Sequence, residues 1–218
     1  ASHGTCHMID GLKIRIRGCD QQWLRTHYLL DWKYVGLDKR GRQKYAAKWN
    51  KFTFRGDETL CKSMAGSFHT HYHGGANWQD FTFTQFVEVV TSVCLDFGLH
   101  SSNLVLSNVE VGVNIIPPMA TANVLRSIVL HRTTAPVPMS KFNGIEIHHA
   151  AYRFKIYDKA RQYHRPGELL RFEVAAKRMR PLERYRVRTL SDLMEPSTWV
   201  ALQGYALARF DELLIVEP

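Results

Sequence analysis

The chain has 218 residues, enough for one large domain or two small ones, and its 45% hydrophobic content excludes general disorder. Its formal net charge of +9 favours an anionic partner, with nucleic acid ahead of a membrane surface. The four cysteines, Cys6, Cys19, Cys61 and Cys94, form no C-x-x-C pair, which excludes zinc-knuckle spacing and reads as reduced thiols in the cytoplasm. No apolar run approaches the roughly 20 residues a membrane span needs, and no signal peptide is visible, so no membrane partner is expected.

In chain order, residues 1–7 look like a cloning remnant, with the native start at Met8 and one domain over residues 8–218. Leu12 to Arg17 alternates apolar and basic residues, the pattern of a half-buried strand. Residues 48–54 and 67–73 are further strand candidates. Residues 82–97 form a helix, with apolar residues at close to a 3.6-residue period, a Thr82/Gln85 capping box and a Gly98 stop. A long strand over 104–116 ends at Pro117-Pro118. A helix follows at 121–130, then strands at 144–149, 152–158 and 169–177, then a helical tail over about 190–214. Strands grouped around separate helices predict an α+β fold: a mainly antiparallel central sheet with helices packed on one face.

Successive strand side chains point to opposite faces. Along the long strand, Val109, Val111, Val113 and Ile115 share one face, and Asn108, Glu110, Gly112 and Asn114 share the other. Gly, Asn and Glu are poor strand formers, and Gly112 leaves room between Glu110 and Asn114 for a ligand or backbone. In 152–158, Phe154 and Ile156 face the core, while Arg153, Lys155 and Tyr157 face outward with Lys159. In 169–177, Leu170, Phe172 and Val174 face inward, and Arg171, Glu173 and Lys177 outward. If these strands are neighbours, carboxylates and an amide suited to Mg²⁺ or Mn²⁺ share a face with cations suited to phosphate. An ordinary solvated sheet surface with cross-strand ion pairs has the same composition. Tyr157 by itself is either a packed strand aromatic or a nucleophile.

Ser67 to His73 sets His69, His71 and His73 on one strand face, a rival metal site or a set of DNA contacts. His148 and His149 face opposite ways, so at most one of them reaches a given site.

Lys155-Ile156-Tyr157-Asp158-Lys159, followed by Leu170-Arg171-Phe172-Glu173, resembles the replication initiators of the filamentous-phage gene II/X type and the related rolling-circle plasmid initiators. Glu110 and Asn114 have the four-residue spacing of the paired acids in the plasmid initiators, with Asn in the second place. The segment from Ser67 through Asn114 is similar to the branch found in phages and plasmids of Bacteroidetes-like bacteria, so the resemblance spans about residues 67–214. The stretch Gly144 to His149 lacks the Tyr-x-Gly segment that plasmid relatives often carry, and the resemblance therefore does not fix a catalytic tyrosine. Family chains also tend to run on past this point, so the resemblance implies, as an expectation, a domain cut short at Pro218.

The resemblance implies an HUH/Rep-nuclease-like fold and strand cleavage at a replication origin in the cytoplasm of a bacterial host, alongside host replication proteins. A divalent ion, Mg²⁺ or Mn²⁺, on Glu110, Glu173 and Asn114 would polarise the scissile phosphate of single-stranded DNA. Tyr157 would attack to give a 5′-phosphotyrosine, with Tyr152 and Tyr163 in reserve. Lys155, Lys159 and Arg171 would stabilise the transition state, and Arg153, Arg171, His69, His71 and His73 would hold DNA. The alternative is a non-catalytic module of the same fold that binds single-stranded DNA or the origin, with Trp32-Lys33-Tyr34, Lys48-Trp49 and Lys51-Phe52 as stacking platforms. RNA binding is a third reading, recognised by a preference for ribose.

Overall fold

Alternation builds the first strand. Across β1 (His7–Ile16), Leu12, Ile14 and Ile16 are buried, while Lys13 and Arg15 are exposed. The molecule is seen here in a computed structural model that describes residues 7–18 and 20–216. After α1 (Asp20–Thr26), an antiparallel ladder runs through β2 (Lys33–Leu37), β3 (Gln43–Trp49), β4 (Phe52–Gly56) and β5 (Cys61–Ser67), and β5 pairs with β1. On its other side β1 pairs with β6 (Leu104–Ile115). The remaining strands are β8 (Val137–Pro138), β9 (Gly144–His148), β10 (Tyr152–Asp158) and β11 (Leu170–Ala176), where β7 (Ile128–His131) lies outside this sheet. The result is a ten-stranded sheet in the order β2-β3-β4-β5-β1-β6-β11-β10-β9-β8, antiparallel throughout.

Helices cover one face. α2 (Phe68–Tyr72) caps the end of β5, and α3 (Phe83–Phe97) buries Phe86, Val89, Val90, Val93 and Phe97. Phe97 packs on Trp49 and Phe54, and the Trp23 indole of α1 donates to the Phe97 carbonyl. After α4 (Thr121–Ser127), α5 (Lys159–Gln162) and α6 (Arg180–Glu183) comes α7 (Pro196–Phe210), whose Phe210 meets Phe172 of β11 edge-on at 4.7 Å. The opposite face of β1 to β5 carries Lys13, Arg15, Lys48 and Arg55 exposed to solvent. The α+β architecture, with its antiparallel sheet and helices to one side, is therefore as predicted. Among the described residues, no helix is long and apolar enough to cross a membrane.

Four expectations are corrected. Residues 48–54 are not one strand but the β3–β4 hairpin, whose turn needs Asn50 at φ 50°, a left-handed conformation that asparagine tolerates. Residues 67–73 do not continue a strand, because the Ser67 hydroxyl accepts from the Thr70 N–H and starts α2. The 121–130 helix stops at Ser127, where the β-branched Ile128 and Val129 turn into β7 and pair with β12 (Leu213–Ile215). The tail is α-helical only over α7, which follows a short 3-10 turn at Asp192–Met194 and which Pro196 opens in its first turn. By contrast, the Thr82/Gln85 capping box and the left-handed Gly98 bound α3 as predicted.

Candidate nucleic-acid interface and the buried charge cluster

Register brings the polar residues of three strands into line. Tyr157 of β10 lies opposite Arg171 of β11, which lies opposite Asn114 of β6. One step along the strands, Lys155 faces Glu173, and Glu173 faces Gly112. Gly112 has no side chain because the Arg171 guanidinium occupies that space: a Cβ there would meet Arg171 Nη2 at 2.8 Å. Between Ile9 and Leu12 the β1–β6 register shifts, and this irregularity holds Asp10 and Gly11 against the cluster. A Cβ on Gly11 would lie 2.7 Å from Glu110 Oε2, so the glycine makes room for that carboxylate.

Arg171 is the hub. It has no exposed surface and donates to Glu173 Oε2 at 3.1 Å, Asn114 Oδ1 at 3.1 Å and Asp10 Oδ2 at 3.0 Å. The Lys155 ammonium contacts the other Glu173 oxygen and lies 3.5 Å from Glu110 Oε1. The segment after α2 roofs the cluster. Asn77 donates to Asp10 Oδ2 at 2.6 Å, and its own oxygen accepts from Lys159 Nζ and from the Tyr163 hydroxyl, both at 2.6 Å. The Asn114 amide donates to the Trp78 carbonyl at 3.0 Å, and Arg165 stacks over the Trp78 ring at 3.3 Å. Ser67 donates to Asp10 from below α2. Three acids, Asp10, Glu110 and Glu173, thus stand against three bases, Lys155, Lys159 and Arg171.

Burial and neighbours set the protonation. Burial raises the Tyr157 phenol well above its ordinary range, and the adjacent Glu173 carboxylate adds to this. Its hydroxyl is 3.3 Å from Glu173 Oε2, its ring is covered by Phe142, and it is only 5% exposed. Burial and the nearby Glu173 push Glu110 up to about 7. Burial also opposes ionisation of Glu173, but Lys155 and Arg171 overcome it and hold that carboxyl well below the usual range. Burial, reinforced by Arg171, brings the Lys159 ammonium down to about 7.

A Mg²⁺ or Mn²⁺ ion does not fit these residues as they stand. Both Glu173 oxygens face cations, the Asn114 oxygen is taken by a guanidinium, and Glu110 faces the Lys155 ammonium. Among the described residues, no group of three or more His, Cys, Asp or Glu side chains is arranged to hold a metal.

The other end of the same sheet face is open. Where β1 ends and β6 begins, Arg15, Arg17, Val105, Leu106 and Ser107 form the floor of a groove of about 720 Å³. Lys177, Arg178, Arg180 and Arg188 add cations from the segment that follows β11, and Glu183 is the one acid lining it. None of the six cations is ion-paired with a described carboxylate.

No family model and no curated protein matches the chain. A search of solved structures finds a rolling circle replication initiator protein from Geobacillus stearothermophilus. It is 10% identical, with a TM-score of 0.45, over 94% of this chain and 80% of that one. A likeness this distant transfers no residue roles.

Of the residues singled out in the sequence, the fold gathers Tyr157, Lys155, Lys159, Glu110, Glu173, Asn114 and Arg171 into one cluster. Arg171, expected at a phosphate, is instead fully buried and engaged with Asp10, Glu173 and Asn114. Arg153 lies apart, 3.3 Å from Glu146, which also meets His148 at 3.0 Å. The three histidines do not share a strand face, because they are on and just after a helix. His69 is fully buried and stacked on Phe81, His71 packs on Trp49 and Phe52, and His73 bonds the Asp80 carbonyl. Trp49 and Phe52, read as stacking platforms, belong to or pack against the core. Tyr152 is buried beside His131 and His149. Sequence reasoning missed Asp10, Asn77 and the arginines after β11. An acid-glycine pair, Asp10-Gly11, interrupting an apolar strand was the signal for the first.

Proposed function

We propose that this chain is a nucleic-acid-binding module of the replication-initiator kind, holding single-stranded origin DNA in the open basic groove without cutting it. The observation that carries the reading is the groove itself, with Arg15, Arg17, Lys177, Arg178, Arg180 and Arg188 around one acid and none ion-paired among the described residues. Crowded, unpaired cations repel one another, and a phosphate backbone relieves that repulsion while releasing its own counterions. The resemblance of β10 and β11 to replication initiators points to origin DNA as the polymer.

The cutting chemistry implied by that resemblance finds less support. A tyrosine nucleophile must lose its proton and reach a phosphate. Tyr157 is buried beneath Phe142 with its pKa raised, and Lys155 and Arg171 are engaged by carboxylates rather than facing a substrate.

Fluorescence anisotropy with labelled single-stranded oligonucleotides tests the reading. Binding should weaken with salt at a slope of about −0.7 per phosphate contact, approaching −4 if all six cations engage. Binding should persist in EDTA, and Mg²⁺ should weaken it only as a competing counterion on the phosphates. Salt-insensitive or absent binding refutes the module, and a covalent protein–DNA adduct on a denaturing gel restores the cutting reading.

A further inference from the structure

Lys155 has no part in the basic groove, yet its position is specific. The β10–β11 register sets it opposite Glu173, and its ammonium reaches the carboxylates of both Glu173 and Glu110. The three side chains are 13%, 3% and 23% exposed, so the contact is internal but adjoins solvent at Glu110. A lysine ammonium is a compact point charge, and here it stands between two carboxylates as a small metal ion would. We propose that Lys155 is a built-in cation that takes the place of a divalent ion, and that removing its ammonium turns Glu110 and Glu173 into a binding site for Mn²⁺ or Mg²⁺. The inference rests on the proposed function only in that neither needs a metal.

Charge count supports it. With Lys155 present, three acids balance three bases, and a divalent ion would add two uncompensated charges beside Arg171 and Lys155. Without Lys155, the acids exceed the remaining bases, Lys159 and Arg171, by one. The emptied stem leaves space for an ion that keeps several of its waters, and the part-exposed Glu110 gives it a way in. A buried carboxylate deprived of its partner is strongly unfavourable and is relieved by a proton or by a cation, so Mn²⁺ is offered above neutral pH, where the proton competes least.

The test is Mn²⁺ titration of the purified chain, followed by electron paramagnetic resonance and calorimetry, with no DNA present. The original protein should show no saturable Mn²⁺ binding, and its melting temperature should be equal in Mn²⁺ and EDTA. Lys155→Ala should bind one Mn²⁺ at least tenfold more tightly than the original and melt higher with the ion. Lys155→Arg should behave like the original, and Lys155→Ala combined with Glu173→Gln should lose the gain. If Lys155→Ala does not fold, Lys155→Gln replaces it, and Mn²⁺ should restore structure to either variant. Stoichiometric Mn²⁺ binding by the original protein, a Lys155→Ala variant that binds no better, or variants that Mn²⁺ cannot restore each overturn the proposal. Since no readout involves DNA, failure here leaves the binding module standing, and the reverse is equally true.

Discussion

The same three strands, β1, β6 and β11, carry two opposite electrostatic solutions at their two ends. At one end Asp10, Asn114 and Arg171 join a sealed cluster in which acids and bases balance. At the other end Arg15, Ser107 and Lys177 border an open groove where cations stand without ion-pair partners among the described residues. A count of basic residues cannot tell these ends apart. Lys155, Lys159 and Arg171 are spent inside the protein, whereas Arg15, Arg17 and Arg188 remain available to a ligand. The difference shows that pairing, more than charge, marks where an anion can bind.

The largest effect should come from the hub of the sealed end. Arg171→Ala leaves Asp10 and Glu173 buried without their guanidinium, and breaking such a buried pair costs about 3–5 kcal/mol. Urea unfolding measures it, and a loss below about 1 kcal/mol would show that the acids find other partners. The open end should respond in the opposite sense. Replacing Arg15, Arg17 and Arg188 together with alanine should make the salt slope of single-strand binding shallower by roughly 2, three contacts at about 0.7 each. Stability should change little, by about 0.5 kcal/mol per exposed site or less. An unchanged slope would break the contrast between the ends.

The sealed end should also imprint a pH dependence on stability. Between its ordinary 4.5 and about 7, Glu110 keeps a proton in the folded state that the unfolded chain has released, so stability falls as pH rises. Between about 7 and its ordinary 10.5, Lys159 has lost a proton that the unfolded chain retains, so its contribution rises with pH. These two contributions alone make a trough near neutral pH, superimposed on the opposite rise that His69, lowered by burial to about 3, contributes up to its ordinary 6.5. In thermal melts across pH, the difference from the original protein isolates each group: Glu110→Gln should remove a fall between 4.5 and about 7 and Lys159→Met a rise between about 7 and 10.5, and a difference that is flat with pH would contradict the assignment. The smallest effect belongs to Tyr157→Phe. Its hydroxyl makes only long bonds, 3.3 Å to Glu173 and 3.4 Å from Lys159, so the loss should be about 1 kcal/mol or less, with DNA affinity unchanged in anisotropy.

Much of this arrangement was legible in the sequence, because strand alternation is a local property. Val109, Val111, Phe154, Ile156, Phe172 and Val174 declare the core face, which assigns Glu110, Lys155, Tyr157 and Glu173 to the other. The room left by Gly112 was legible too, but its occupant was not. Alternation cannot say that a side chain from the neighbouring strand will lie there, and Arg171 does. Asn77 escaped notice because it acts from an irregular segment, where no periodicity constrains which way a side chain points. The groove was hidden for a similar reason: Arg178 and Arg188 lie in irregular segments and Arg180 opens the short α6, so no strand alternation places them. The histidine triplet was misjudged because a single hydroxyl, that of Ser67, switches the local period from two to 3.6 residues.

The position of β1 in the sheet bears on how the chain is made. Although it precedes the other described strands in the chain, it lies in the interior of the sheet, and its two neighbours end only at Ser67 and Ile115. The ladder from β2 to β5 can zip through short hairpins, but the Arg171–Asp10 contact joins residues 161 positions apart. A nascent chain that has not yet released β11 exposes the long edge of β6, a row of unpaired backbone groups open to pairing with another chain. In that interval Asp10 and Glu110 also lack the cations that later balance them, Arg171 on β11 and Lys155 on β10. Docking of β11 therefore closes the hydrogen-bond ladder and completes the charge balance in one late event, so the sealed end works as a latch on the finished fold.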